Sequence, residues 1–217
     1  MIRSILFDLD GTLIDTAYDL VYALNIIRKQ RGLPALPVAS LRSIANLGSK
    51  ALIKRALDVD ETAPAFPPLR EQFFSLYQEH VAHESRLFPN VEKVLSFLDE
   101  KRIPWGIVTN KPEIHTMDLL SALSLKQRAG CIICGDTLPR AKPDPMPLLH
   151  ACELLEMRPD ECIYVGDART DVEASKAANI KSLVALYGYI QDNDDPLTWH
   201  ADGYINDPLE IIQWLPT

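Results

Sequence analysis

Residues 5–12 read Ile5-Leu6-Phe7-Asp8-Leu9-Asp10-Gly11-Thr12, an apolar run that stops at two carboxylates, a glycine and a hydroxyl. The run from about Ile2 to Asp8 predicts a strand, and its lack of polar alternation predicts cover on both faces. Successive side chains of a strand point to opposite sides, so Asp8 and Asp10 are expected on the same side. Two acids so close, beside a buried strand, repel each other and lose hydration. A soluble fold accepts that cost when a cation is near or the acids have a chemical task.

Outward from this stretch the pattern changes twice. For some seventy residues after Gly11 it is helical. Leu20, Val21, Leu24 and Ile27 recur at helical spacing in a helix from Thr16 to Arg31, which Gly32 and Pro34 stop. A second helix is expected from about Ser40, broken at Gly48 and resumed from Ala51 to Leu57. Residues 64–68 read as a loop, and a third helix runs from Pro68 to His83. From Leu87 the chain alternates. Strands are expected at 103–109, 131–134, 162–165, 182–186 and 203–205, and helices at 91–101, 115–123, 145–155 and 171–178. A last helix follows Asp207 as N-cap and Pro208 as first residue. The prediction is an α/β fold with a mainly parallel sheet covered by helices on both faces. Residues 1–14 and 87–217 form its core, and residues 15–86 an inserted helical domain.

Such sheets bind ligands beyond the carboxyl ends of their strands. The first strand ends in Asp8 and Asp10, and the second in Thr109-Asn110. The fourth ends in Gly166-Asp167, with Asp171 four residues on, and Lys142 precedes Pro143 before the helix leading to that strand. Singly, each has a bland reading: Asp8 and Asp10 as turn residues, Asp171 as a helix cap, Lys142 as a solvated lysine. Together, at the ends of one sheet, they read as a catalytic constellation.

FDLDGT at 7–12, VTNK at 108–111, KPDP at 142–145 and VGDARTD at 165–171 occur in the order of the four motifs of the haloacid dehalogenase superfamily, which the chain resembles over essentially its whole length. The resemblance implies a Rossmann-like core, a phosphatase activity and an α-helical cap, here 15–86, as in the phosphoglycolate phosphatase branch. It makes Asp8 the nucleophile that forms an aspartyl-phosphate and Asp10 the acid and base, with a raised pKa and a backbone carbonyl on the metal. Thr109 bonds the phosphoryl group, Lys142 offsets charge, Asp167 binds metal, and Asp171 orients metal-bound water or Lys142. Charge counting agrees: four aspartates and one lysine sum to −3, which Mg²⁺ and one proton bring to zero, and hard oxygen ligands favour Mg²⁺. Backbone amides around Gly11 and Asn110 offer phosphate contacts.

Substrate choice is expected in the cap. Asn46, Gly48, Ser49 and Lys50 are the candidates, since free N–H groups at a helix start suit a carboxylate or sugar hydroxyl. Arg86, in the returning hinge, is expected to face the cleft. Residues 14–16 and 85–88 are the expected hinges. SRLFPNV at 85–91, WGIVTNKP at 105–112 and YGYI at 187–190 are most similar to N-acetylmuramic acid 6-phosphate phosphatases and largely shared with phosphoglycolate phosphatases. The expected substrate is therefore N-acetylmuramic acid 6-phosphate or 2-phosphoglycolate. A phosphomutase shares all four motifs, and a non-catalytic phosphate-binding module would ordinarily have lost one of these residues. The dehalogenase branch lacks an acid at the Asp10 position and uses no metal.

The bulk numbers narrow the partners. With 22 basic and 30 acidic residues the net charge is −8, which argues against nucleic acid and leaves a small phosphorylated metabolite. No apolar run approaches the ~18 residues of a membrane span, and Met1-Ile2-Arg3 leads straight into a strand, so a cytoplasmic enzyme is expected. Cys131 and Cys134 form a C-x-x-C whose spacers are isoleucines. On a strand their thiols face opposite ways, which predicts buried cysteines rather than a metal or redox site.

Overall fold

The computed structural model describes residues 1–215. Strand β1 (Ser4–Phe7) ends one residue before Asp8. A two-residue strand, β2 (Ile14–Asp15), leads into helices α1 (Ala17–Gln30), α2 (Ala39–Arg42), α3 (Gly48–Leu57) and α4 (Phe66–Glu79). The chain returns through β3 (Arg86–Leu87) to α5 (Val91–Lys101), β4 (Trp105–Val108), α6 (Glu113–Ala122) and β5 (Cys131–Ile133). Then come α7 (Met146–Leu154), β6 (Cys162–Gly166), α8 (Arg169–Ala177), β7 (Lys181–Ala185) and β8 (Gly203–Ile205).

Six strands form one parallel sheet in the order β5-β4-β1-β6-β7-β8. Strand β1 is central. On one side the chain adds β4 and β5, on the other β6, β7 and β8, so the order reverses at β1. That reversal opens a crevice at the carboxyl ends of β1, β4 and β6. Alternation sorts the strand residues into two cores. Ile5, Phe7, Ile107 and Val165 join an apolar cluster that continues into the helical layer through Leu24, Ile27, Leu52 and Phe73. Leu6, Val108 and Tyr164 face the other way, onto Leu148 and Ala151 of α7 and Ala174 of α8. Each large apolar side chain so buried contributes about 1.5–3 kcal/mol over leaving it in water, which makes β1 an anchor for the turn that follows it.

The expected α/β sheet is present, and the differences are local. Helix α4 starts at Phe66, inside the expected loop, because Pro67 and Pro68 occupy its first turn, where a missing N–H costs nothing. It ends at Glu79 rather than His83. The final segment, Pro208–Trp214, is a 3₁₀ helix, with the Asp207 side chain accepting from Leu209 N at 2.8 Å. Strands β2 and β3 were not expected. They pair antiparallel, Ile14 with Leu87 and Asp15 with Arg86, so the two chain crossings run side by side. Buried Asp19 of α1 secures this junction, accepting from Glu84 N at 2.8 Å, Ser85 N at 3.1 Å and Ser85 Oγ at 2.6 Å.

All four cysteines are free and buried. Cys131 Sγ reaches Ala151 O of α7 while Cys134 lies beside Thr116 and Thr137, the opposed orientation that strand geometry requires. Among the described residues no helix is long and apolar enough to cross a membrane.

Candidate active site

Strand β1 delivers Asp8 into the crevice beside Lys142, whose Nζ lies 3.1 Å from Asp8 Oδ1. Lys142 Nζ also donates to Asp171 Oδ1 at 2.7 Å, Tyr164 Oη at 2.6 Å and Val108 O at 3.0 Å. A lysine so enclosed keeps its charge because of its neighbours. Burial works against the ammonium, but Asp171 and Asp8 outweigh it and hold its pKa above the ordinary value. Asn110 fixes the lysine's backbone from both sides, its Oδ1 accepting from Lys142 N and its Nδ2 donating to Lys142 O, each at 3.0 Å.

Asp8, Asp167 and Asp171 each offer a carboxylate oxygen, all within 4.8 Å of one another. Asp167 is anchored by Thr12 Oγ1 at 2.9 Å and Tyr189 N at 2.8 Å. Two glycines make room for it. A Cβ on Gly11, where φ is +85°, would lie 2.2 Å from Asp167 Oδ2, and one on Gly188 would lie 2.3 Å from Asp167 Cβ. Burial lifts the Asp8 carboxyl to about 7, with Lys142 opposing and Asp171 adding to the lift. Burial and the charges of Asp8 and Asp171 raise Asp167 well above the ordinary range. Hard oxygen donors, glycine-made space and two acids, Asp8 and Asp167, that resist ionising together fit a divalent cation, whose charge would favour their ionised forms.

Asp10 departs from the expected geometry. The strand has ended at Phe7, so the alternation argument does not extend to it. Its carboxylate stands apart from the acidic trio, receiving Thr16 Oγ1 at 2.6 Å and pairing with Lys111 Nζ at 3.1 Å. Asp8 and Asp10 still line one cavity of about 240 Å³, with Thr109, Asn110, Lys111 and Lys142. Lys111 was missed as a site residue, although it ends the VTNK motif. It brings the formal charge of the constellation from −3 to −2. Burial opposes its charge, Asp10 and Tyr77 favour it, and its pKa is raised.

Other expected site residues take different places. Asp171 is the third residue of α8 rather than its N-cap. Its Oδ2 reaches back to Ala168 N at 2.9 Å while Oδ1 holds Lys142. The Gly11 amide is already bonded to Ile14 O at 3.0 Å, so its contribution is the missing side chain. Thr109 is buried on the cavity wall, where its Oγ1 accepts from Lys111 N at 3.2 Å. Asn46, Gly48 and Ser49 line the helical side of the cavity. Lys50 is not among the lining residues; it reaches Glu61 at 2.5 Å on the surface, because one step along a helix turns a side chain by about 100°. Arg86 pairs with Glu84 at 3.0 Å, mostly exposed, and also stays out of this cavity.

Tyr189 and Arg70 were likewise missed. The Tyr189 hydroxyl accepts from Thr16 N at 2.7 Å and Ala17 N at 2.9 Å, and donates to Asp15 Oδ1 at 2.9 Å. It thereby caps α1 while its own amide holds Asp167. Its place in the YGYI segment gave it visibility without a role. Arg70, exposed on α4, lines the cavity and gave no sequence signal at all.

Central acids at a switch point, with a buried lysine beside them on one cavity, define the class. Residues 5–185 match the family model described as haloacid dehalogenase-like hydrolase. The chain belongs to that family, and so is a hydrolase. It is 39% identical over 214 residues to a phosphoglycolate phosphatase of Xanthomonas campestris pv. campestris, covering 99% of this chain and 96% of that one. It is 35% identical over 214 residues to an N-acetylmuramic acid 6-phosphate phosphatase of Pseudomonas aeruginosa, covering 99% and 95%. The crystal structure of a predicted phosphoglycolate phosphatase from Haemophilus somnus 129pt superposes with a TM-score of 0.86 at 29% identity, covering 98% of this chain and 97% of that one.

Proposed function

We propose that the chain is a phosphomonoester hydrolase working through an aspartyl-phosphate, with residues 15–86 as the cap over a core of 1–14 and 87–217. The observation that carries this is the convergence of Asp8, Thr109 and Lys142 on one cavity, with Asp167 and Asp171 behind them. An Asp8 carboxylate oxygen attacks phosphorus as the bond to the ester oxygen breaks. Asp10 delivers a proton to the departing alkoxide. Water then attacks phosphorus, Asp10 takes its proton, and Asp8 and inorganic phosphate are released. Lys142 neutralises Asp8 and the phosphoryl oxygens, and Thr109 donates its hydroxyl to the latter.

In the resting site Asp10 is bound to Lys111. An entering phosphoryl dianion gives Lys111 a more highly charged partner, freeing Asp10 for proton transfer. Asp8, Asp167 and the Asp10 carbonyl would hold Mg²⁺, oriented through Asp171, and the ion supplies charge neutralisation to the phosphoryl group. The relatives' names support phosphoglycolate or N-acetylmuramic acid 6-phosphate as substrate. A cytoplasmic setting is supported by four reduced, buried cysteines. The test is phosphate release from p-nitrophenyl phosphate with Mg²⁺. Asp8→Asn should lower turnover at least about a thousandfold with the fold unchanged by circular dichroism; turnover near that of the native enzyme would refute the mechanism.

A further inference from the structure

The cavity has two chemically different walls. The strand-end wall carries Asp8, Asp10, Lys111 and Lys142. The helical wall is formed by Leu52 and Ser49 of α3 and Phe73, Phe74 and Arg70 of α4. Its polar side chains are those of Asn46, Ser49 and Arg70. The Arg70 guanidinium lies 4.9 Å from the centre of the Phe74 ring and donates through Nε to Ser49 Oγ at 3.2 Å. Among the described residues no carboxylate lies within ion-pairing distance of Arg70, whereas Arg42, Arg128 and Arg169 each hold one. A cation stacked on an aromatic ring and braced by a hydroxyl is preorganised, with its terminal nitrogens left to donate. In the same cavity lining, Asn46 Oδ1 is buried without a partner while its Nδ2 donates to Tyr189 O at 2.8 Å.

The geometry points to Arg70 as a specificity-determining residue that receives a carboxylate of the substrate, on the opposite wall from the phosphoryl group. This rests on the proposed phosphatase reading and deepens it: the substrate is a phosphomonoester carrying a second, carboxylate anion. A simple hydroxylated ester offers Arg70 nothing that water does not. A planar carboxylate matches the guanidinium fork. The Phe74 ring against the guanidinium keeps water off one face of the pair. The cavity, about 240 Å³, has room beyond a two-carbon acid, so the same cation can serve a small acid or a sugar acid.

Two matched pairs of esters separate these sources. One is N-acetylmuramic acid 6-phosphate against N-acetylglucosamine 6-phosphate, which lacks the lactyl carboxylate. The other is 2-phosphoglycolate against 2-hydroxyethyl phosphate. The native enzyme should favour the carboxylated member of at least one pair in kcat/KM, and that pair names the source. Arg70→Met should shrink the preference by roughly tenfold to a hundredfold, the loss expected for one charge-assisted pair, mainly through KM. Arg70→Lys should retain part of it. Equal loss on both members of a pair, or no preference in the native enzyme, overturns the assignment. If none of the four esters nor p-nitrophenyl phosphate is hydrolysed, the phosphatase reading fails instead.

Discussion

Lys111 is the residue whose removal says most about the site. It is almost fully buried, pairs with Asp10, and lies 4.6 Å from the centre of the Tyr77 ring, so it touches both the strand-end wall and α4. Lys111→Met should lower kcat/KM by about a hundredfold, in keeping with loss of one buried charge contact to the phosphoryl group. Lys111→Arg should recover part of it; steady-state kinetics on p-nitrophenyl phosphate decide, and unchanged kinetics for the methionine variant would remove Lys111 from the site. Asp8 and Asp167 were legible because each directly follows a buried strand, and Asp10, Lys142 and Asp171 because they complete the motifs around them. Lys111 was quoted within its motif but had no visible partner, since Asp10 lies 101 residues away in sequence. Arg70 was illegible, because an exposed arginine on an amphipathic helix looks the same whether it faces solvent or a cavity.

At the level of elements, the site depends on how α1 is tied at its start. Tyr189 satisfies its first amides, and Asp19 binds the returning chain at Glu84 and Ser85. Asp19→Ala would strand three donors at a buried junction. The expected cost is about 2–4 kcal/mol, measured as a lower denaturation midpoint with unchanged urea dependence. A shift under about 0.5 kcal/mol would show that water replaces the carboxylate. Long periodic segments were readable: Val91–Lys101 has the predicted bounds. The two-residue strands β2 and β3 were not, because two residues carry no periodicity, and their pairing spans the whole helical segment. Asp207 signalled a helix start correctly, yet capping chemistry does not separate 3₁₀ from α geometry.

For the molecule as a whole, Asp8 and Asp167 couple stability to pH and cations. The carboxyls of Asp8 and Asp167 are both raised in the folded protein. The folded state then binds more protons than the unfolded chain between the ordinary carboxyl pKa and about 7. Stability from Asp8 is complete below the ordinary value and is lost as pH rises to about 7, and the raised Asp167 acts in the same direction. In chelator, the melting temperature should therefore fall by a few degrees from about pH 5 to about pH 7.5, and Mg²⁺ should abolish the fall. A flat profile in chelator, or no effect of Mg²⁺ at the upper pH, would contradict this linkage. The paired strands β2 and β3 have a consequence of another kind. Seen from the sheet, everything between Asp15 and Arg86 is the loop of a hairpin whose stem is two residues long. Its ends are neighbours, so a change of length far from Thr16 and Tyr77, which touch the strand-end side chains, is expected to leave both ends of the sheet in place. On the proposed reading, selectivity would then reside in a part spliced at a fixed socket above the phosphate chemistry.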